Sequence, residues 1–220
     1  MKRHTLAGGA WIDEDRTWLA SDEADAMLRD LIANESWGQY PIKVFGKDVM
    51  QPRLITWAGE LPYRYSSQTL EPRAPSPLLT ELTARVSEVA GVPFNHVLLN
   101  RYRDGKDHMG YHADDERELG LNPVIAAISL GVTRRFVLHQ KKNRRKQRRY
   151  RLVHGSLLVM GGTIQHTWRH AVPKMAAVEG ERINLTFRYL LGPPGCRSAS
   201  SRTAKAKAQS SENTPSTPKA

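Results

Sequence analysis

The chain reads as a mainly β protein with flanking helices, an α+β fold built on an antiparallel double sheet. Three observations predict it. From residue 97 onward, short β-rich segments alternate with turns at close intervals, the pattern of stacked or closed antiparallel sheets. The amphipathic helical stripes fall before residue 91, ahead of that series. A length of 220 residues with 40% hydrophobic content is enough for one substantial domain.

In chain order, residues 1–36 form an N-terminal segment ending in a helix. Ser21 stands as its cap, Asp22 and Glu23 suit the positive end, and Met27, Leu28, Leu31 and Ile32 form the stripe, to about residue 34. Residues 37–95 begin with β-formers and prolines, read as hairpins and loops to about residue 75. A second helix then starts near Pro77, buries Leu79, Leu82, Val86 and Val89, and stops at Gly91 before Pro93. Residues 96–192 hold the strand series, expected at 98–102, 124–130, 135–139, 149–153, 156–160 and 182–190. Residues 193–220 are rich in Ser, Ala, Lys and Pro without apolar periodicity, which predicts a disordered basic tail.

Composition narrows the chemistry. The single cysteine, Cys196, excludes an intramolecular disulfide and a cysteine-based zinc site, and it fits a reducing interior. Lys2, Arg3 and His4 are followed by no apolar run, so neither a signal peptide nor a membrane span is expected. The net charge of +11 is concentrated in two places: residues 134–151 hold ten Lys/Arg and no acid, and the 193–220 tail holds five basic residues and one acid. The remainder is slightly acidic. The first block lies between two apolar β runs and reads as a hairpin whose basic tip includes Arg144, Arg145, Arg148 and Arg149. So many mutually repelling cations point to an anionic partner, of which nucleic-acid phosphate is the natural candidate.

Two motifs carry the chemistry. His112 and Asp114 are two residues apart, a spacing that places both side chains on one face of a strand. A histidine from a later strand would complete a 2-His-1-carboxylate triad, the open-sided arrangement of non-haem Fe(II) oxygenases. Further on, 182–188 alternates Arg182, Asn184, Thr186 and Arg188 on one face with Ile183, Leu185 and Phe187 on the other. On a solvated edge strand the polar face is unremarkable. In an interior it needs an anion, and two arginines about 20 Å of strand apart, bending toward each other, suit a short dicarboxylate gripped at both ends. Asn100 and Tyr102 share a face just before the metal motif.

The run Asn100-Arg101-Tyr102, His112-x-Asp114, His170 and Arg182-x5-Arg188, within about residues 37–190, resembles the AlkB-type Fe(II)/2-oxoglutarate dioxygenases. It looks closest to the branch whose animal member repairs double-stranded DNA. The resemblance implies a double-stranded β-helix, or jelly roll, with a nucleotide-recognition lid within 37–95. It implies iron held by His112, Asp114 and His170, with 2-oxoglutarate and O2 as cosubstrates. His170 is preferred to His166 because its surroundings read as strand and because it lies 12 residues before Arg182, as in the family. Arg182 and Tyr102 are implied to bind the distal carboxylate of 2-oxoglutarate, and Arg188 and Asn100 to support the chelating one, with Thr186 nearby.

The resemblance also assigns the substrate side. Val44, Phe45 and Gly46 match a wedge that fills the gap left by a flipped base, though Phe45 also suits a place in the core. Tyr63, Tyr65 and Ser66 match the nucleotide-recognition segment, in which Tyr65 stacks on the flipped base, and Arg53 is assigned to the same substrate-binding set. Asp115 and Glu116 match acidic residues of the base pocket, and Asp115 is taken as the catalytic one. The implied activity is oxidative demethylation of 1-methyladenine and 3-methylcytosine in DNA, with release of formaldehyde. The alternatives are an RNA demethylase or protein hydroxylase of the same fold, or a non-catalytic nucleic-acid-binding protein. The expected partner is duplex DNA, with RNA possible, and the expected state is a monomer. The expected location is the nucleoid-associated cytoplasm of a bacterium or the nucleus of a eukaryote.

Overall fold

A computed structural model describes residues 1–44, 46–65 and 68–192, without the side chains of Lys43 and Val44. Phe45, Ser66 and the 193–220 tail therefore lie outside the described residues. The elements in order are β1 (Lys2–Thr5), β2 (Ala10–Asp15), α1 (Ser21–Asn34), β3 (Pro41–Val44), β4 (Lys47–Met50), β5 (Leu54–Gly59), β6 (Tyr63–Tyr65), β7 (Gln68–Leu70), α2 (Pro77–Ala90), β8 (His96–Tyr102) and β9 (Met109–His112). There follow β10 (Ile125–Gly131), β11 (Arg134–Gln140), β12 (Gln147–Leu152), β13 (Ser156–Gly162), the single-turn α3 (Ile164–Thr167), β14 (Trp168–Val172) and β15 (Arg182–Arg188).

The strands form two facing antiparallel sheets. The larger runs β1-β2-β13-β10-β15-β8-β5, the smaller β12-β11-β14-β9. Strands β3 and β4 pair separately, as do β6 and β7. The larger sheet thus draws strands from all three segments expected along the chain. Its N-terminal pair was not foreseen: β2 pairs with β13, setting Ile12 opposite Met160 and Asp15 opposite Leu157.

Period-two alternation gives the large sheet two buried faces. Ile183, Leu185 and Phe187 of β15, with Val97, Leu99, Ile128 and Leu157 from its neighbours, pack against Leu31 of α1 and Leu79, Leu82 and Val86 of α2. The opposite face meets the small sheet through Leu98, Ile125, Leu158, Phe136, Leu138 and Trp168. Burying a residue of Leu or Phe size stabilises by roughly 1.5–3 kcal/mol, so this double layer holds β15 firmly between β10 and β8.

The helices differ from expectation at two residues. Ala20, not Ser21, is the N-cap of α1, and no side chain caps it. Ser76 does cap α2: its Oγ accepts from the Leu79 amide at 3.3 Å and donates to Glu35 beyond the end of α1 at 2.9 Å. Val89 is 45% exposed rather than buried, since it falls off the Leu79-Leu82-Val86 stripe. Gly91 closes α2 in the left-handed region at φ 65°, where glycine carries no Cβ penalty.

Candidate active site

Strand pairing brings the metal residues together. In the small sheet β9 lies beside β14, and His112 is directly opposite His170. The chain leaves β9 at His112, so Asp114 is positioned by a loop rather than by the strand alternation expected. What holds it is Gln165 of α3, whose Oε1 accepts from the Asp114 amide at 3.0 Å. One ligand atom from each of His112, Asp114 and His170 lies within 4.8 Å of the others. The imidazoles meet edge to face at 4.2 Å, and His112 Nδ1 sits 2.9 Å from the Gly110 carbonyl, which turns Nε2 toward the cluster. His166 is exposed on the surface, where its Nε2 accepts from the Asn122 amide at 3.4 Å.

Electrostatics prepare these groups to bind a cation. Burial, the neighbouring His112 and Arg188 lower His170 to about 3, so its imidazole is neutral. Burial pushes the Asp114 carboxyl up, but Arg188 and the two imidazoles outweigh it and bring it to about 2. Two neutral imidazoles and one carboxylate are a donor set for a divalent metal of the Fe(II) type.

The polar face of β15 continues the site across the interior. Arg188 donates to Asp114 Oδ1 at 3.1 Å through Nη2, while its Nε and Nη1 are buried without a hydrogen-bond partner among the described residues. At the other end Arg182 donates from Nη2 to Ser129 Oγ at 2.9 Å and to Asn184 Oδ1 at 2.7 Å. Its Nε and Nη1 are likewise unpartnered. Burial, opposed by Tyr102 and reinforced by Arg134, lowers Arg182 to about 10. A cavity beside them is lined by Arg188, Asn100, Tyr102, Asn184 and Thr186 on one side and His112, Asp114 and His170 on the other, with Arg182 behind Tyr102, 5.2 Å from its ring centroid. Two fully buried guanidiniums with free donors demand an anion, and a dicarboxylate beside a metal meets both demands. The residues present therefore fit Fe(II) with 2-oxoglutarate.

A second pocket opens from the triad toward solvent, lined by Ile42, Arg53, Tyr65, Tyr111, His112 and Glu116 among others. Asp115 is the sequence assignment that changes here. Asp115 points outward and ion-pairs with Lys141 at 3.2 Å, because the loop after β9 turns only Asp114 and Glu116 inward. Glu116 is the pocket's acid, and burial with the adjacent Asp114 charge raises its carboxyl above the ordinary range. Tyr63 is fully buried behind the site and does not line the outer pocket, with the Arg188 guanidinium 5.4 Å from its ring centroid and His96 packed edge-on at 4.9 Å. Arg53 does line the pocket, but its donors are engaged: Nε to Asn100 at 2.7 Å and Nη2 to the Tyr65 hydroxyl at 2.8 Å. It ties Asn100 in the wall of the inner cavity to Tyr65 at the outer pocket.

Gly46 is exposed at φ 78°, as a turn after β3 requires. Arg144, Arg145, Arg148 and Arg149 are all exposed in the β11–β12 hairpin. Sequence reasoning missed Arg134, which is fully buried, lies over the Tyr102 ring at 5.4 Å, and donates to the carbonyls of Asp104, Asp107 and Pro173. Nothing in the basic run from residue 134 distinguishes this inward cation from its solvated neighbours. Gln165 was equally silent, though it holds the amide of Asp114.

A family model described as the 2OG-Fe(II) oxygenase superfamily matches residues 16–188. The alpha-ketoglutarate-dependent dioxygenase alkB homolog 3 of Rattus norvegicus is 41% identical over 192 residues, covering 80% of this chain and 64% of the relative. The chain thus spans slightly less than two thirds of that relative's length. The DNA oxidative demethylase ALKBH2 of Mus musculus is 40% identical over 201 residues, covering 86% of this chain and 84% of the relative. In fold, the chain is similar to the solved structure of OsALKBH1, with a TM-score of 0.59 at 18% identity, over 86% of this chain and all of that one. The paired sheets, the His-Asp-His cluster and these relatives agree, and the chain belongs to the 2OG-Fe(II) oxygenase superfamily, among its AlkB-type members.

Proposed function

We propose that the protein is an Fe(II)- and 2-oxoglutarate-dependent dioxygenase that demethylates N-alkylated bases, 1-methyladenine and 3-methylcytosine, in DNA. One observation carries this reading: a His-Asp-His cluster, with Asp114 and His170 buried and His112 half-buried, has two under-satisfied arginines beyond it and opens onto a second pocket that holds an aromatic ring and a carboxylate. The similarity to a DNA oxidative demethylase supports the choice of DNA.

In this reading His112, Asp114 and His170 hold the iron. Arg182 and Tyr102 take the distal carboxylate of 2-oxoglutarate, and Arg188 with Asn100 supports the other, with Thr186 on the same wall. When bound, Fe(II) with 2-oxoglutarate and O2 supplies an oxidative step that couples loss of CO2 from the cosubstrate to hydroxylation of the N-methyl carbon. The chain does the rest. The neutral imidazoles remain free to ligate, and Arg188 keeps Asp114 ionised while bracing it toward the metal. Tyr65 offers the ring against which a flipped base stacks, and Glu116 places a carboxylate beside a cationic methylated base. The hydroxymethyl group then leaves as formaldehyde and restores the base nitrogen.

The hairpins β3–β4 and β6–β7 form the nucleotide-recognition lid in this reading. The Gln68 side-chain amide donates to the Pro41 carbonyl and so links them. Phe45 acts as the wedge that favours duplex substrate, and the β11–β12 tip with Arg144, Arg145, Arg148 and Arg149 meets the backbone. The test is to incubate methylated single- and double-stranded oligonucleotides with Fe(II) and 2-oxoglutarate. Loss of methyl mass with stoichiometric formaldehyde is expected. No product from either DNA form, with turnover of methylated RNA or peptide instead, would reject the DNA reading.

A further inference from the structure

The outer face of the small sheet carries a feature that the active site does not use. Register fixes which residues share it. Arg135 of β11 stands directly opposite Arg151 of β12, Val137 opposite Arg149 and Ala171, and His139 opposite Gln147 and Arg169 of β14. Their sequence neighbours Arg134, Phe136, Leu138, Tyr150 and His170 all point inward and are buried. Three strands therefore present Arg135, Arg149, Arg151 and Arg169 to solvent on one face.

Like charges directly opposite on adjacent strands are destabilising, and Arg135 faces Arg151. None of Arg135, Arg151 or Arg169 is ion-paired among the described residues, and Asp115, near the edge of this sheet, is already taken by Lys141. A sheet that retains such repulsion suits a polyanion lying across it.

The face is continuous with the mouth of the site. Tyr111, 45% exposed, lines the outer pocket beside His112 and Glu116, and its ring packs on His139 at 4.2 Å. An exposed aromatic ring at the start of a cationic strip is the combination that tracks single-stranded nucleic acid, where bases stack and phosphates pair with arginine.

We propose that the lesion-bearing strand leaves the mouth over Tyr111 and runs across this face, with its phosphates on Arg135, Arg151 and Arg169. The proposal rests on the reading that nucleic acid is the substrate, and it names a surface that adjoins the hairpin tip at Arg149 but is built on Arg135, Arg151 and Arg169.

Its test is binding of a fluorescent, unmethylated 20-nucleotide single strand across a salt series. The variant R135Q/R151Q/R169Q should bind more weakly, and the slope of log affinity against log salt should shrink by about 2, at about 0.7 per lost phosphate contact. Tyr111→Ala should weaken binding about tenfold and leave the slope unchanged. Melting temperature and circular dichroism report whether each variant is folded. A wild-type slope in the folded triple variant overturns the proposal while leaving the demethylase reading intact. So does an equal loss of binding to a poly-glutamate peptide of matched charge, which would make the face a general polyanion site. Absence of any nucleic-acid binding by the wild type would instead remove the reading on which the proposal rests.

Discussion

Asp114 is held from three sides, by the Gln165 side chain at its amide, by Arg188 at one oxygen and by His170 4.0 Å from the other. Removing His112, Asp114 or His170 as alanine should abolish iron binding and turnover, measured by metal content and formaldehyde release, while His166→Ala retains both. Retention of metal by His170→Ala would displace it as a ligand. Arg188→Ala should do more than lose the cosubstrate. It leaves the buried Asp114 carboxylate without its cation, a change that typically costs 3–5 kcal/mol, so both the melting temperature and 2-oxoglutarate affinity should fall. Arg182→Lys keeps the charge but loses the planar fork, and 2-oxoglutarate affinity by calorimetry should drop about 10- to 100-fold. His96 tests the pocket from behind. Burial, with Arg188 adding to it, lowers the ring to about 3, below its unfolded value. Its contribution to stability is therefore complete above about pH 6.5 and is lost as pH falls toward 3, at roughly 1.4 kcal/mol per unit between those limits. Urea unfolding of His96→Phe should show a shallower pH dependence than the wild type over pH 4–6. An unchanged slope would mean that the ring is not buried neutral.

At the level of elements, what was legible depended on whether a regular period carried the information. Strand β15 could be read directly because seven residues alternate without interruption, and the same logic favoured His170 on a strand over His166. The period ends at His112. Beyond it the loop decides which side chain turns inward, so Glu116 rather than Asp115 reaches the pocket, and no alternation rule could have said so. Strand β2 went unread because Ala10–Asp15 is short and ends in three acids, which resembles a polar loop until β13 is placed beside it. Arg134 was hidden in a block of identical cations, since only burial separates it from Arg135. The lid and the basic hairpin make separable predictions. Phe45→Ala should reduce repair of a lesion in duplex DNA far more than in a single strand, because only the duplex leaves a gap to fill. Neutralising Arg144, Arg145, Arg148 and Arg149 should weaken both substrates and flatten the salt dependence. Equal losses on both substrates for Phe45→Ala would return that residue to a packing role.

Across the whole molecule, the sheet joins the two ends of the described chain. Trp11 of β2 packs over Gly161 of β13, where an added Cβ would collide with the indole. Gly161→Ala should therefore lower the melting temperature in the wild type and cost much less in a Trp11→Ala background, a coupling that a double-mutant cycle measures. Additive effects would mean that the ring and the glycine do not meet. Pairings such as Asp15 with Leu157 also span most of the sequence, and contacts so distant along the chain slow folding. The position of β15 has a consequence for synthesis. It is an interior strand of the large sheet, paired on both edges, yet the last described strand in the chain. A nascent chain that has emerged through β14 already carries His112, Asp114 and His170 but lacks the strand that bridges β10 and β8, and with it both arginines. The donors arrive early and the frame that braces them arrives last. Emergence of β15, rather than appearance of the His-Asp-His residues, thus sets when the cluster acquires the arginine that braces Asp114.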